Sequence, residues 1–347
     1  VGILGLDQVQ PAVPPRGPGP MLAGRARLGL ALLLAALAVL TTGALPALGA
    51  SSQQIIAILN AQRAANGIPA GITENAAWSA ACRSHDAYER LNKAFGHEEI
   101  EGRPGYSAQG NLIAQTSVLA EGITWSAGDP YDNAPYHLFD LLNPRISSTG
   151  AADFGGFGCV EIELGTLRAA PAQPLAYSYP GNRRTGVPAS QSASELPMTP
   201  AQTVGLGSGA TGPNLFVYFD GPWSNGSRAQ IVSASLSSAQ GSVALRWLDN
   251  SSSDLLAPTG AILVPVTRLR ARTTYHVHVV GTVLGVMAGT SIEGALASCG
   301  APEAGVVDCG APPPTTCVEN FATQLALCGL SRSWDVSDSF TFTTGRR

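Results

Sequence analysis

Helical spacing of apolar residues comes first along this chain, and alternation comes later. In SSQQIIAILNAQRAANG, Ile55, Ile58 and Leu59 share one face with Gln62. Ser51 or Ser52 can cap the start and Gly67 can close the end, so the segment predicts a helix. A second helix is predicted from about residue 74 to 92, where Trp78, Ala81, Cys82, His85 and Tyr88 recur at i, i+3, i+4 and i+7 spacing. His85 lies on that apolar stripe, where a hydrogen-bonded core histidine is the expected role. From 96 to 110 the chain turns polar and rich in glycine. Shorter helical segments are predicted at 117–126 and 134–142, and FGGFGCVEIEL at 154–164 reads as a strand. Helices followed by a strand make an α+β unit rather than repeating βα units.

Residues 166–205 are dominated by Pro, Ser, Gln and Gly and read as a linker or extended wrap. Beyond them the period becomes two. NLFVYFDG, AQIVSASL, SVALRWLD, GAILVPVT, TTYHVHVVG and SFTFTTG are six strand candidates separated by Gly, Pro and Asn. They predict an all-β sandwich over 206–347, interrupted at 299–328 by a cysteine-bearing insertion.

The beginning of the chain changes the picture. Arg25 and Arg27 precede a continuous apolar run at 28–40, and GALPALGA then supplies small residues suited to cleavage. Residues 21–50 therefore read as a signal peptide, with 1–20 as an upstream extension before Met21. The run is shorter than the roughly 20 apolar residues a membrane span needs, so no span is expected after cleavage. Export to the extracellular space or the cell envelope makes the cysteines readable as disulfide partners. Cys82 and Cys159 form the economical pair, leaving Cys299, Cys309, Cys317 and Cys328 as a local cluster, although sequence cannot choose among connectivities. A net charge of -4 without a basic run argues against nucleic acid as a partner.

Candidate chemistry gathers in two segments. FGHEEIEGRPGYSAQGN places His97 beside Glu98, Glu99 and Glu101, and APYHLFDLLNPR carries His137. Two neutral imidazoles with nearby carboxylates suit a divalent metal such as zinc, and a carboxylate on an imidazole tunes its basicity. The plainer alternative is a solvated acidic loop with locally hydrogen-bonded histidines. His276 and His278 alternate with Tyr275, Val277 and Val279, so both face one side of a strand; with no third ligand nearby in sequence, a solvent-facing pair is expected. GSGATG at 207–212 precedes a strand and lacks the strand-to-helix setting of a dinucleotide site. There is no G-x-S-x-G or H-E-x-x-H motif. Asn225 and Asn250 fit the glycosylation acceptor pattern, which matters only in a glycosylating host.

ILNAQRAANGIPAGITENAAWSAACRSHDAYER resembles the opening of the CAP superfamily, which comprises cysteine-rich secretory proteins, antigen 5 and pathogenesis-related 1 proteins and is also called SCP-like. The likeness rests on the helix with Asn60 and Arg63, the Gly67-Ile68-Pro69 loop and the Ala-rich helix carrying His85 and Tyr88. GHEEIEGRPGYSAQGN and APYHLFDLLNPR resemble the H-x-E, P-G-Y-T-x-E-G and P-x-H-R segments of a bacterial secreted subgroup. The resemblance implies an α-β-α sandwich over 51–165, with a cleft of two histidines and two acids that in some members bind zinc. By position, His97 and His137 match the cleft histidines and Glu99 the acid of H-x-E. Gln109 stands where the subgroup has Glu, Leu138 replaces its Arg, and Glu121 is the candidate second acid. TTYHVHV and FTFTTG resemble strands of the immunoglobulin-like modules appended to bacterial secreted proteins.

The function implied is a secreted, non-catalytic CAP protein that binds a lipid, peptide or envelope ligand in the His97/His137 cleft, with a β-sandwich for adhesion or spacing. The alternative is a hydrolase, in which His97 or His137 with Glu99 activates water, with or without zinc, on a peptide or wall polymer. Gln109 removes a charge and a base, and no nucleophile motif is present, so the first reading is favoured.

Overall fold

The protein's structure is a computed structural model that describes residues 49–122, 125, 128–253, 255–256, 258–290 and 328–346. Helix α1 (Ser52–Ala65) begins at Ser51, whose hydroxyl accepts from the Gln54 N–H while the Gln54 side chain accepts from the Ser51 N–H. Past its end, Asn60 pins the returning chain by accepting from the Gly71 and Ile72 N–H groups and donating to the Ile72 carbonyl. Strand β1 (Thr73–Glu74) leads into α2 (Ala76–Asn92), capped by the Asn75 side chain. Then come α3 (Ala108–Gln115), β2 (Ser117–Glu121) and α4 (Pro135–Leu141), with Pro135 in the first helical turn, where no N–H is needed. Strands β3 (Ser148–Thr149), β4 (Ala151–Phe154) and β5 (Phe157–Glu161) complete this region. The antiparallel order is β2-β5-β4, while β1 and β3 form a separate parallel pair.

Two local expectations are corrected here. Residues 117–121, expected as helix, form a strand whose Ser117, Val118 and Leu119 are buried against β5. Residues 108–115 are helical, although 108–110 were expected within a glycine-rich turn, because the Ser107 hydroxyl accepts from the Gly110 N–H at 2.9 Å. Glycine is needed at 110 for space, since a Cβ there would lie 2.3 Å from Glu99 Oε1.

A disulfide joins Cys82 on α2 to Cys159 on β5 and clamps the helix to the three-stranded sheet. Cys328 is also disulfide-bonded. Cys299, Cys309 and Cys317 lie outside the described residues, as do 1–48 with most of the expected leader. No helix among the described residues is long and apolar enough to cross a membrane.

The remaining elements are β6 (Leu175–Tyr179), β7 (Arg184–Val187), the helical turn α5 (Pro200–Thr203), β8 (Leu215–Asp220), β9 (Arg228–Ser238), β10 (Gly241–Val243), β11 (Leu245–Asp249), β12 (Gly260–Pro265), β13 (Thr274–Val286) and β14 (Ser331–Thr344). They build a four-stranded sheet, β11-β12-β8-β6, and a five-stranded sheet, β10-β9-β13-β14-β7. The stretch 166–205, expected as a linker, thus supplies an edge strand to each sheet. β6 runs antiparallel to β8, and β7 parallel to β14.

Burial explains the layering. β13 alternates, with Tyr275, Val277 and Val279 inside and His276 and His278 outside. β8 and β12 do not alternate, and all six residues of each are buried. Leu215, Val217, Ala261 and Leu263 pack with Val277, Val279, Phe340 and Phe342 of the five-stranded sheet. Phe216, Tyr218, Ile262 and Val264 share a core with Ile55, Leu59, Phe139 and Leu142 on the helical side. Such two-sided burial reads in sequence as an unbroken apolar run. Phe139 stacks on Tyr218 at 4.6 Å between ring centres, and the Tyr218 hydroxyl donates to the Phe139 carbonyl.

The expected α-β-α sandwich is therefore overturned. Of the described residues 35% lie in strands and 20% in helices, with five helices and four sheets. An α-β-α sandwich needs helices over both faces of one sheet. Here the four-stranded sheet carries the helical region on one face and a second sheet on the other. One arginine braces the helical side of that junction and another crosses it. Arg63, fully buried, donates to the carbonyls of Pro69, Leu141 and Asn143, satisfying acceptors at the end of α4. Arg145 pairs with Asp220 at 2.7 Å and also donates to the Gly221 carbonyl and to Asn225.

Candidate functional site

The first histidine-bearing wall is organised by His85. Helix α2 buries Ala81, Cys82, His85, Asp86, Tyr88 and Glu89 along one stripe. His85 Nδ1 lies 3.1 Å from Glu99 Oε1, and its Nε2 lies 3.1 Å from the Gly96 carbonyl and 3.5 Å from Glu89 Oε1. Burial by itself lowers the proton affinity of this ring, but Glu89 and Glu99 raise it above the ordinary histidine value overall. The other Glu99 oxygen accepts from the Ser107 N–H at 2.7 Å, and the Glu99 N–H donates to Asn111. Tyr88 closes the arrangement by accepting from the Ile100 N–H. Glu99, expected beside His97, is thus turned inward to His85, and both its oxygens are engaged.

His97 projects the other way. It is exposed, its Nδ1 lies 2.7 Å from the Ala114 carbonyl, and its charge acts on Glu163. Burial raises the Glu163 carboxyl while His97 moderates that rise. Gln109 sits exposed in the first turn of α3, and Glu121 is exposed at the end of β2.

The second wall has its own acid. His137 Nδ1 lies 3.1 Å from Glu195 Oε2, and its ring stacks on Tyr131 at 5.8 Å. The Glu195 side chain is 1% exposed and that of His137 22%. Burial raises the Glu195 carboxyl despite its hydrogen bonds from His137 and the Tyr136 N–H. Sequence reasoning missed Glu195 because it lies in the stretch read as linker; an isolated acid among Ser, Pro and Leu was the one available signal. The structure pairs His85 with Glu99 and His137 with Glu195, and it does not gather His97, Glu99 and His137 into a zinc ligand set. Among the described residues no group of three or more His, Cys, Asp or Glu side chains is placed to hold a metal ion.

A groove of about 470 Å³ opens beside the segment leading into α4. Gln62 and Asn66 of α1, Asp132, Asn133, Tyr179, Arg184, Gln191 and Asn214 contribute its polar lining, with Pro180, Pro188 and Pro213 between them. Gln191 ties the walls together: it donates to the Asp132 carbonyl and accepts from both the backbone and side-chain N–H of Asn214, each at 2.9 Å. Asn66 holds the far side by accepting from the Gly181 N–H. Burial raises the Asp132 carboxyl and lifts that of nearby Asp129 to about 6. Burial, reinforced by Asp132 and Asp129, lifts the Tyr179 hydroxyl to about 12, so it remains a neutral donor. The groove therefore offers carboxyl and amide oxygens, amide and phenolic donors and one guanidinium on partly apolar walls.

The two glycosylation acceptors differ. Asn225 is exposed, whereas Asn250 is 5% exposed and its side chain is engaged with Ala229 and Ser227. Compared with family models, with curated proteins and with solved structures, the chain finds no match.

Proposed function

We propose that this chain is an exported, non-catalytic binding protein that holds a polar, hydrogen-bonding ligand of the cell envelope or its surroundings. The observation that carries this reading is the 470 Å³ groove, whose size suits a ligand site and whose polar lining is tied together through Gln191. The Cys82–Cys159 disulfide supports an oxidising destination. The inward turn of Glu99 supports a structural rather than hydrolytic role for the first wall.

The test is to mix the purified protein with insoluble cell-wall polymer, then measure both co-sedimentation and release of soluble fragments. Co-sedimentation without release is expected, weakened when Asp132→Ala and Arg184→Ala are combined and unchanged in His137→Ala. Failure to sediment would overturn the reading.

A second reading has one observation in its favour. The His137–Glu195 pair has the form of a base and its orienting acid, with the imidazole partly accessible. Fragment release that disappears in His137→Ala would establish that reading instead.

A further inference from the structure

We propose that His276 and His278 form a two-imidazole chelating site for a transition-metal ion of the Zn²⁺, Ni²⁺ and Cu²⁺ group. The site is remote in sequence from both histidine walls and does not depend on the groove. Both residues project from the same face of β13, while the intervening Val277 is buried in the core. Two steps along a strand separate their backbones by roughly 6.5–7 Å, close enough for two imidazoles to reach one ion.

The neighbours leave both rings uncovered and orient one of them. His276 is flanked across the sheet by Ser237 and Thr341, and His278 by Ser235 and Ser339. All four flanking side chains are small hydroxyls, so no bulky group on these positions covers the rings. His278 Nδ1 is hydrogen-bonded to Ser339 Oγ at 2.8 Å, which orients the ring and leaves Nε2 for an ion. β13 lies between β9 and β14, so backbone ladders on both sides hold the pair in register. Imidazole is a ligand suited to these borderline ions, and two nitrogens leave the other coordination positions to water or an external donor.

The experiment uses the full chain, stripped with a chelator and titrated with Ni²⁺ and then Zn²⁺ by calorimetry near neutral pH. Binding of one ion per chain is expected. His276→Ala and His278→Ala should each weaken it on the order of 100-fold, and Ser339→Ala by about tenfold through loss of ring orientation. His97→Ala and His137→Ala should leave it unchanged. His276→Asn and His278→Asn, checked for an unaltered thermal unfolding curve, separate loss of the ligand from loss of the fold. The Cu²⁺ complex should carry the electron-spin signature of two imidazole nitrogens. Affinity retained without either histidine, affinity that follows His97 or His137, or no binding would overturn the proposal.

Discussion

His85 and His137 each lie 3.1 Å from a glutamate oxygen, yet their neighbourhoods differ in almost every other respect. His85 is fully buried on α2, contacts two glutamates and a carbonyl, and stands three residues from a disulfide cysteine. His137 occupies a short helix, keeps about a fifth of its side chain exposed, and leans on an acid 58 residues away. The same pair of functional groups is a buried fastener in one place and a partly accessible contact in the other. Access and the number of fixed partners distinguish them; residue type does not.

The largest test of that contrast is removal of the clamp beside His85. Replacing Cys82 and Cys159 together by Ser opens a loop spanning 77 residues. By the chain-entropy account this should cost between about 4 and 5 kcal/mol, read from denaturant unfolding. Next, Glu99→Ala leaves the buried His85 with Glu89 as its remaining acid and should cost about 3 kcal/mol. If Glu99→Ala proves no worse than a surface substitution, the fastener reading of His85 fails.

Proton linkage sharpens the comparison further. Burial raises Glu161 to about 7 and Asp129 to about 6, and the proton affinity of His85 is raised as well. In each case the folded chain holds the proton more tightly than the unfolded chain. Stability from Glu161 is therefore complete below its ordinary value of 4.5 and is lost as pH rises through about 7. Melting temperature should fall across that window, and Glu161→Gln should flatten the slope. The smallest effect belongs to the exposed partner: His137→Ala should cost about 1 kcal/mol, since one hydrogen bond is lost at a partly solvated site.

Much of the framework could be read in the residues. The cap at Ser51, the stripe on α2 and the alternation around His276 and His278 all follow local rules, while the Cys82–Cys159 pair follows from economy among exported cysteines. Glu99 was legible as a site residue but its partner was not, because spacing fixes no side-chain direction in an irregular loop, and here Glu99 meets His85 while His97 meets the Ala114 carbonyl. Glu195 was hidden by its proline- and serine-rich surroundings, which say nothing about a histidine 58 residues earlier. Residues 117–121 form a short apolar run, where periodicity cannot separate strand from helix. The layering is hidden for a related reason. β8 and β12 stand among alternating strands in the sequence, and only their unbroken apolar character signals cover on both faces.

That double cover has a consequence for anyone wishing to divide the molecule. A cut at residue 205 would strip β6 and β7 from their sheets and uncover Phe216, Tyr218, Ile262 and Val264 on one fragment and Phe139 and Leu142 on the other. Both fragments would present greasy, self-adherent surfaces, so expression of either half should yield inclusion bodies, and protease nicking of the native chain should leave the pieces associated until denaturant is added.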